Sequence, residues 1–340
     1  MAQHVLEKGK LLDTYGELDE AGYAKSLVKE YSRKDIKGMK TRIKEWDYYY
    51  IGNSRYGVAL TVADNSYMSL ASISILDFEK KTYITKSYMG LLSFGKINLP
   101  PSSENGDVVF KSKKFSMRFL NSNGERHLIC KMKNLKDDKT FECNISLQLT
   151  NEDSMVIATP FKKRKHFYYN QKINLLKASG SFSFDGKTYP LDDAYGVLDW
   201  GRGVWTYKNT WYWSSLSGVC NSRRVGFNLG YGFGDTSQAS ENMLFVDDVA
   251  YKLDDVTFYI PKDEKGNDDF MKEWKIESKD KRINLTFTPI LDRKDDTNVI
   301  ILRSNQHQVF GKFNGYILNG EDKVEFIDMV GFAEKVFNKW

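Results

Sequence analysis

The run Asp199-Trp200-Gly201-Arg202-Gly203-Val204-Trp205, followed by Trp211-Tyr212-Trp213, gathers four of the chain's seven tryptophans around one carboxylate and one guanidinium. A carboxyl group among indoles loses hydration, which favours its protonated form and lets it give up a proton near neutral pH. Asp199 is therefore the first candidate for a general acid, with Trp200, Trp205, Trp211 and Trp213 shaping an apolar pocket whose π faces tolerate positive charge. Arg202 supports a different reading: paired directly with Asp199, it would hold the carboxylate ionised and make the motif architecture or an anion site, while unpaired it would orient a polar end of a ligand. Glu241, followed by Asn242, is the second candidate acid. Glu45-Trp46-Asp47, ahead of three tyrosines, forms a third acidic and aromatic knot and adds Trp46 to the candidate ligand contacts.

Strands must position these residues. Side chains alternate along an extended segment, so Trp211 and Trp213 share a face. In the stretch from Gly226 to Gly234, one face carries Gly226, Asn228, Gly230, Gly232 and Gly234, and the other Phe227, Leu229, Tyr231 and Phe233. Such a row of glycines marks close approach by a ligand, a bulky side chain or another backbone. Trp211 or Trp213 filling the groove accounts for it as well as a ligand wall does, with Asn228 the polar group of that face. The run is not a dinucleotide loop, because no amphipathic helix follows it.

The four histidines, His4, His127, His166 and His307, lack metal-ligand spacing, and there is no nucleophile elbow, phosphate loop or reactive Cys/His signature. What remains is acid and base chemistry by carboxylates, or binding alone, with no cofactor called for. A net charge of +5 from 50 basic and 45 acidic residues is too dilute to imply nucleic acid. The one dense basic run, Lys162-Lys163-Arg164-Lys165, reads as a solvated turn. Three cysteines without C-x-x-C spacing, a leading segment without an apolar signal core and the lack of a membrane-length apolar run give the expectation of a soluble cytoplasmic protein with no integral membrane segment.

Helical periodicity is confined to residues 19–32, where Ala24, Leu27, Val28 and Tyr31 form a stripe and Asp19 can cap the start. After Trp46 the period becomes two: Phe141, Cys143, Ile145, Leu147 and Leu149 alternate with polar neighbours, and turns at residues 64–66, 79–81, 121–124 and 136–139 separate similar strands into a meander. Strand signals continue at 180–184, 187–191, 205–215, 225–233, 256–260, 283–288, 299–303, 309–318 and 324–330. The expected fold is all-β, two antiparallel barrels or sandwiches with a short N-terminal helix, divided into residues 1–195 and 196–340.

The assembled motifs resemble a bacterial family known as domain of unknown function 2804. The resemblance runs over nearly the whole chain, through Leu11-Leu12-Asp13 to Ala21-Gly22-Tyr23-Ala24, Ile43-Lys44-Glu45-Trp46-Asp47-Tyr48-Tyr49, Phe167-Tyr168-Tyr169-Asn170-Gln171-Lys172, the Asp199 to Trp205 run, Gly226-Phe227-Asn228-Leu229-Gly230, Glu241-Asn242 and Gly331-Phe332-Ala333-Glu334. More distantly, Asp199-Trp200-Gly201 and Trp211-Tyr212-Trp213 are similar to the D-H-x-W-G and W-D-W-F signatures of carotenoid 1,2-hydratase and AttH-like proteins. This chain lacks the histidine of the first signature and has Tyr212 in place of the aspartate of the second. The resemblance implies two tandem lipocalin-like (calycin) units holding a hydrophobic small molecule, and a hydratase, cyclase or isomerase activity. The alternative is a carbohydrate-binding or glycan-active protein in which the tryptophans stack on sugars and Asp199 and Glu241 are paired carboxylates.

Overall fold

The computed structural model describes residues 3–122, 124–150, 153–299 and 302–339. Asn123 of the turn expected at 121–124, and residues 300 and 301 of the strand expected at 299–303, lie outside the described residues.

Two large sheets account for the architecture. The first has thirteen strands, with a central path from the edge strand Thr82–Leu91 through Met68–Asp77, Tyr56–Asp64, Ile43–Gly52, Tyr195–Val204 and Phe167–Phe184 to Lys139–Gln148, Glu125–Lys136, Phe115–Ser122 and Val108–Lys111. The second has nine, in which Asp322–Lys339 lies between Lys208–Cys220 and Leu302–Asn319. Each curls into a half-barrel around its own core, and together they form a tandem lipocalin-like, all-β fold. The change of sheet falls between Val204 and Lys208. Tyr195–Val204 belongs to the first sheet because it pairs along its whole length with Ile43–Gly52.

The alternation read at Phe141, Cys143, Ile145 and Leu147 is seen as burial, since all four face the first core while Glu142, Asn144 and Gln148 do not. Trp200 is fully buried in that core and Trp274 in the second. Between the sheets lie two further aromatic clusters, one with Tyr48, Tyr50, Trp213, Phe310 and Phe332, the other with Tyr168, Trp205, Phe233 and Phe245. Asn174, on the long strand Phe167–Phe184, ties the units together by donating to Ser215 Oγ, Leu216 O and Phe227 O of the second sheet.

The helix expected at 19–32 is not formed. Gly22–Ala24 instead pairs with the strand Met155–Pro160, Lys29–Glu30 runs parallel to Gly9–Lys10, and a 3-10 turn at Arg33–Asp35 follows. The segment is an extended strap whose apolar residues Ala24, Leu27, Val28 and Tyr31 still reach the first core. A fourteen-residue amphipathic pattern is a marginal helix in isolation, and pairing with strand edges satisfies the same backbone groups. Gly22 fits this pairing, since a Cβ there would lie 2.6 Å from His4 O.

The strands near the C-terminus are much longer than their apolar patterns: Ile283–Val299, Leu302–Asn319 and Asp322–Lys339. Bulges at Pro289/Leu291 and at Phe313/Gly315 bend them. Beyond the first bulge Ile290 and Leu291 join the cluster between the sheets, and Arg293, Lys294 and Asp295 line the gap.

Candidate functional site

A cavity of about 650 Å³ lies between the two sheets, within the size range of small-molecule sites. Trp46, Trp205, Trp211, Trp213, Asp199 and Glu241 all line it, as do Tyr168, Lys172, Phe233 and Glu334.

Strand alternation decides which parts of the Asp199 motif reach it. Asp199, Gly201 and Gly203 face the gap, and Trp200 and Arg202 face the interior of the first barrel. Trp200 sits edge-on to Tyr169 at 5.6 Å, with the Arg202 guanidinium 4.4 Å over its ring. Arg202 donates to Asp47 Oδ1 at 3.0 Å, Trp46 O at 2.8 Å, Gly201 O at 2.9 Å and Pro100 O at 2.7 Å. Of the two arrangements the sequence left open for Asp199 and Arg202, direct pairing is not formed, because residues three apart on a strand point in opposite directions, and each has its own partner. Trp200 and Arg202 do not line the cavity.

Asp199 Oδ1 accepts from Lys172 Nζ at 2.8 Å and from Asn170 Nδ2 at 2.7 Å. Lys172 is directly opposite Asp199 in the antiparallel ladder, and its ammonium lies 3.7 Å over the Trp213 ring. Gly201 makes room for the indole of Trp46, its cross-strand neighbour: a Cβ at 201 would lie 1.9 Å from Trp46 Cζ2. Trp46 stacks on Tyr168 at 6.1 Å and meets Trp205 edge-on at 5.2 Å, and Trp205 and Trp211 both pack on Phe233.

The glycine face of Arg223–Tyr231 accommodates neighbouring side chains. At Gly230 a Cβ would be 2.5 Å from Glu241 Oε1, and at Gly226 it would be 3.3 Å from Leu175. Asn228 and Asn242 lie behind the lining. Asn228 accepts from Trp213 Nε1 at 2.7 Å and donates to Glu241 O at 2.7 Å, fixing both residues. Asn242 caps Gly230 N and donates to Asp254 O. Burial is the main force raising the Glu241 carboxyl above its ordinary range; Lys172 opposes it and Asp199 adds to it.

Sequence reasoning gave no role to four groups the structure brings here: Lys172, Glu334, Gln308 and Arg293. Trp211 Nε1 donates to Glu334 Oε1 at 2.9 Å and Gln308 Nε2 to Glu334 Oε2 at 3.0 Å. The Gln308 carbonyl oxygen accepts from Arg293 at 2.6 Å and from Tyr48 OH at 3.2 Å, and Arg293 also donates to Ser74 Oγ at 2.8 Å. Tyr48 and Ser74 belong to the first sheet, so this relay spans the gap. Burial pushes the Glu334 carboxyl up to about 7, against the Trp211 hydrogen bond and the Lys172 and Arg293 charges, with Asp199 adding to the rise. The available signal was a glutamate on the face that otherwise carries Phe332 and Val336. For Lys172 there was less to see, because Phe167 to Lys172 is buried on both faces and shows no alternation.

The fold and this inter-sheet cavity define a tandem lipocalin-like protein with an acidic, tryptophan-rich site. The profile of domain of unknown function 2804 matches residues 2–340, and the chain belongs to that family. Among solved structures it is similar to a putative AttH from Nitrosomonas europaea, at 10% identity and a TM-score of 0.55 over 91% of this chain and 96% of that one. It is also similar to kievitone hydratase from Nectria haematococca, at 14% identity and a TM-score of 0.51 over 87% and 88% of the two chains. No curated protein sequence matches the chain.

Proposed function

We propose that the protein binds a hydrophobic small molecule in the inter-sheet cavity and acts on it as a hydratase, cyclase or isomerase, using its own carboxyl groups. The observation that carries this reading is the placement of Glu334, a carboxyl group on the cavity wall among tryptophans, held by Trp211 Nε1 and Gln308 Nε2 and pushed up to about 7 by burial. A protonated carboxyl can deliver its proton to an alkene carbon, and the cation formed is stabilised by the faces of Trp46, Trp205, Trp211 and Trp213. Water then adds and returns a proton to the carboxylate, or an internal alkene attacks the cation to close a ring and the new cation loses a proton to the carboxylate, or the carboxylate removes a proton from a neighbouring C–H. Glu241 is the second acid. Asp199, held by Lys172, supplies fixed negative charge opposite the developing cation.

The glycan alternative has less support, because the tryptophans meet one another edge-to-face and do not form an open stacking platform. The structural neighbour named a hydratase speaks for the fold; the chemistry rests on the carboxyls. We take the two sheets as two domains, and the buried free cysteines support a reducing, cytoplasmic setting.

Mass spectrometry of small molecules co-purifying with the intact protein supplies the test ligand. Glu334→Gln should then bind it with unchanged affinity while its conversion slows by about 10²- to 10⁴-fold. Conversion at the wild-type rate would remove Glu334 from the chemistry, and a ligand displaced by no cavity substitution would remove the cavity.

A further inference from the structure

The edge strand Thr82–Leu91 forms one lip of the cavity, with Thr85, Ser87 and Met89 facing inward and Ile84 and Tyr88 packed on the first core. Beyond Met89 the lip is apolar and uncovered. Met89 is 70% exposed, Leu91 87%, Leu92 58% and Phe94 43%. Leu91 is paired with Met68, itself a cavity residue, so the patch is continuous with the site. Leu92 and Phe94 adopt left-handed backbone conformations, with φ of 54° and 45°, held by their amides donating to Tyr67 O and Ser66 O. Bulky residues rarely accept that conformation, and here it displays two of them to solvent.

A basic turn lies beside the same edge strand. Tyr88 packs against Phe115 at 5.3 Å, and Phe115 opens the strand that follows Lys113 and Lys114, with Lys111 ending the strand before them. Lys133 lies beside them, its amide donating to Lys114 O at 2.8 Å. All four lysines are exposed, and none takes part in an ion pair among the described residues. Apolar side chains flanked by unpaired lysines match an anionic bilayer, with the chains reaching into the acyl boundary and the ammonium groups meeting lipid headgroups. A ligand apolar enough for the cavity is poorly soluble in water, and the lip joins the two apolar phases.

We propose that the rim of Leu91, Leu92 and Phe94, together with the adjoining lysine turn, docks the protein reversibly on an anionic lipid surface, so that an apolar ligand passes between bilayer and cavity along the Met89 lip. Co-sedimentation with vesicles of phosphatidylcholine alone, or containing phosphatidylserine, tests this with no ligand present, so its outcome is independent of the proposed chemistry. Binding is expected on the mixed vesicles, weakening as salt rises. Lys111→Glu/Lys113→Glu/Lys114→Glu should lower it by about a hundredfold, and Leu91→Glu/Leu92→Asn by about tenfold or more. These positions are exposed, and unchanged circular dichroism and melting temperature will establish that both variants fold.

Failure of the wild-type protein to bind either vesicle overturns the proposal. Binding that neither variant reduces does the same. The competing occupant of an uncovered strand edge is a second copy of the chain: a dimer by light scattering that Leu91→Glu/Leu92→Asn abolishes, with no vesicle binding, would assign the patch to self-association.

Discussion

Two regions on opposite faces of one strand contain almost the same parts. Inside the first barrel, Arg202 pairs with Asp47 beside Trp200; in the gap between sheets, Lys172 pairs with Asp199 beside Trp213. The first pair has a further buried cation, Arg126, acting on Asp47, backbone carbonyls take the remaining guanidinium protons, and neither Arg202 nor Asp47 lines the inter-sheet cavity. The second faces two further carboxyls, Glu241 and Glu334, and a cavity. Burial raises the carboxyl of Asp47 as it does those of Glu241 and Glu334. Perturbed acidity alone therefore does not distinguish architecture from chemistry. Excess like charge beside accessible space does.

The largest effect that could break the comparison is structural. Arg202→Met leaves Asp47 buried without its counter-charge and should destabilise the protein by about 3–5 kcal/mol, measured by denaturant unfolding. A loss under about 1 kcal/mol would show that the first-barrel pair is dispensable and the contrast misdrawn.

Glu334 sharpens it from the other side. The folded protein holds this proton more tightly than the unfolded chain, where the group titrates near 4.5. Stability from this source is complete below pH 4.5 and is lost as pH rises through about 7. The loss is on the order of 3 kcal/mol for a group this buried. Glu334→Gln should thus gain stability over the wild type at pH 8 and show little difference at pH 4.5, the signature of a residue kept at a cost to folding. Melting curves at the two pH values decide it, and equal shifts at both would contradict the assigned acidity.

The smallest expected effect concerns Gly201→Ala. Its methyl group would occupy the place of the Trp46 ring, so the indole must swing into the cavity at a cost of about 1–3 kcal/mol. Ligand binding should weaken while Arg202 and its partners stay in place. A variant that binds normally would show that Trp46 is not a fixed wall.

Much of this site was legible in the sequence, and the failures have physical causes. The tryptophans, Asp199 and Glu241 stood out because unusual residue types were crowded together, and the glycine face was read correctly as a place of close approach. Period two decides between the two arrangements left open for Asp199 and Arg202, since an odd separation on a strand means opposite faces. Lys172 lies on a stretch buried on both sides, where alternation carries no signal, and Glu334 shows only as a lone acid on the face of Phe332 and Val336. The strap at 19–32 matched a helical stripe because a short extended segment can meet the core at similar intervals, and its true partners are distant in sequence.

The cross-sheet relay has a mechanical consequence. Gln308 donates to Glu334 and accepts from Arg293 and Tyr48, and Arg293 is anchored to Ser74 of the first sheet. Parting the sheets far enough to break those anchors would hydrate Glu334 and discharge its proton into solvent. Closing them would dry the carboxyl and recharge it. Because burial is what raises the Glu334 carboxyl, any widening of the gap that let water reach it would return its acidity toward that of an ordinary carboxylic acid.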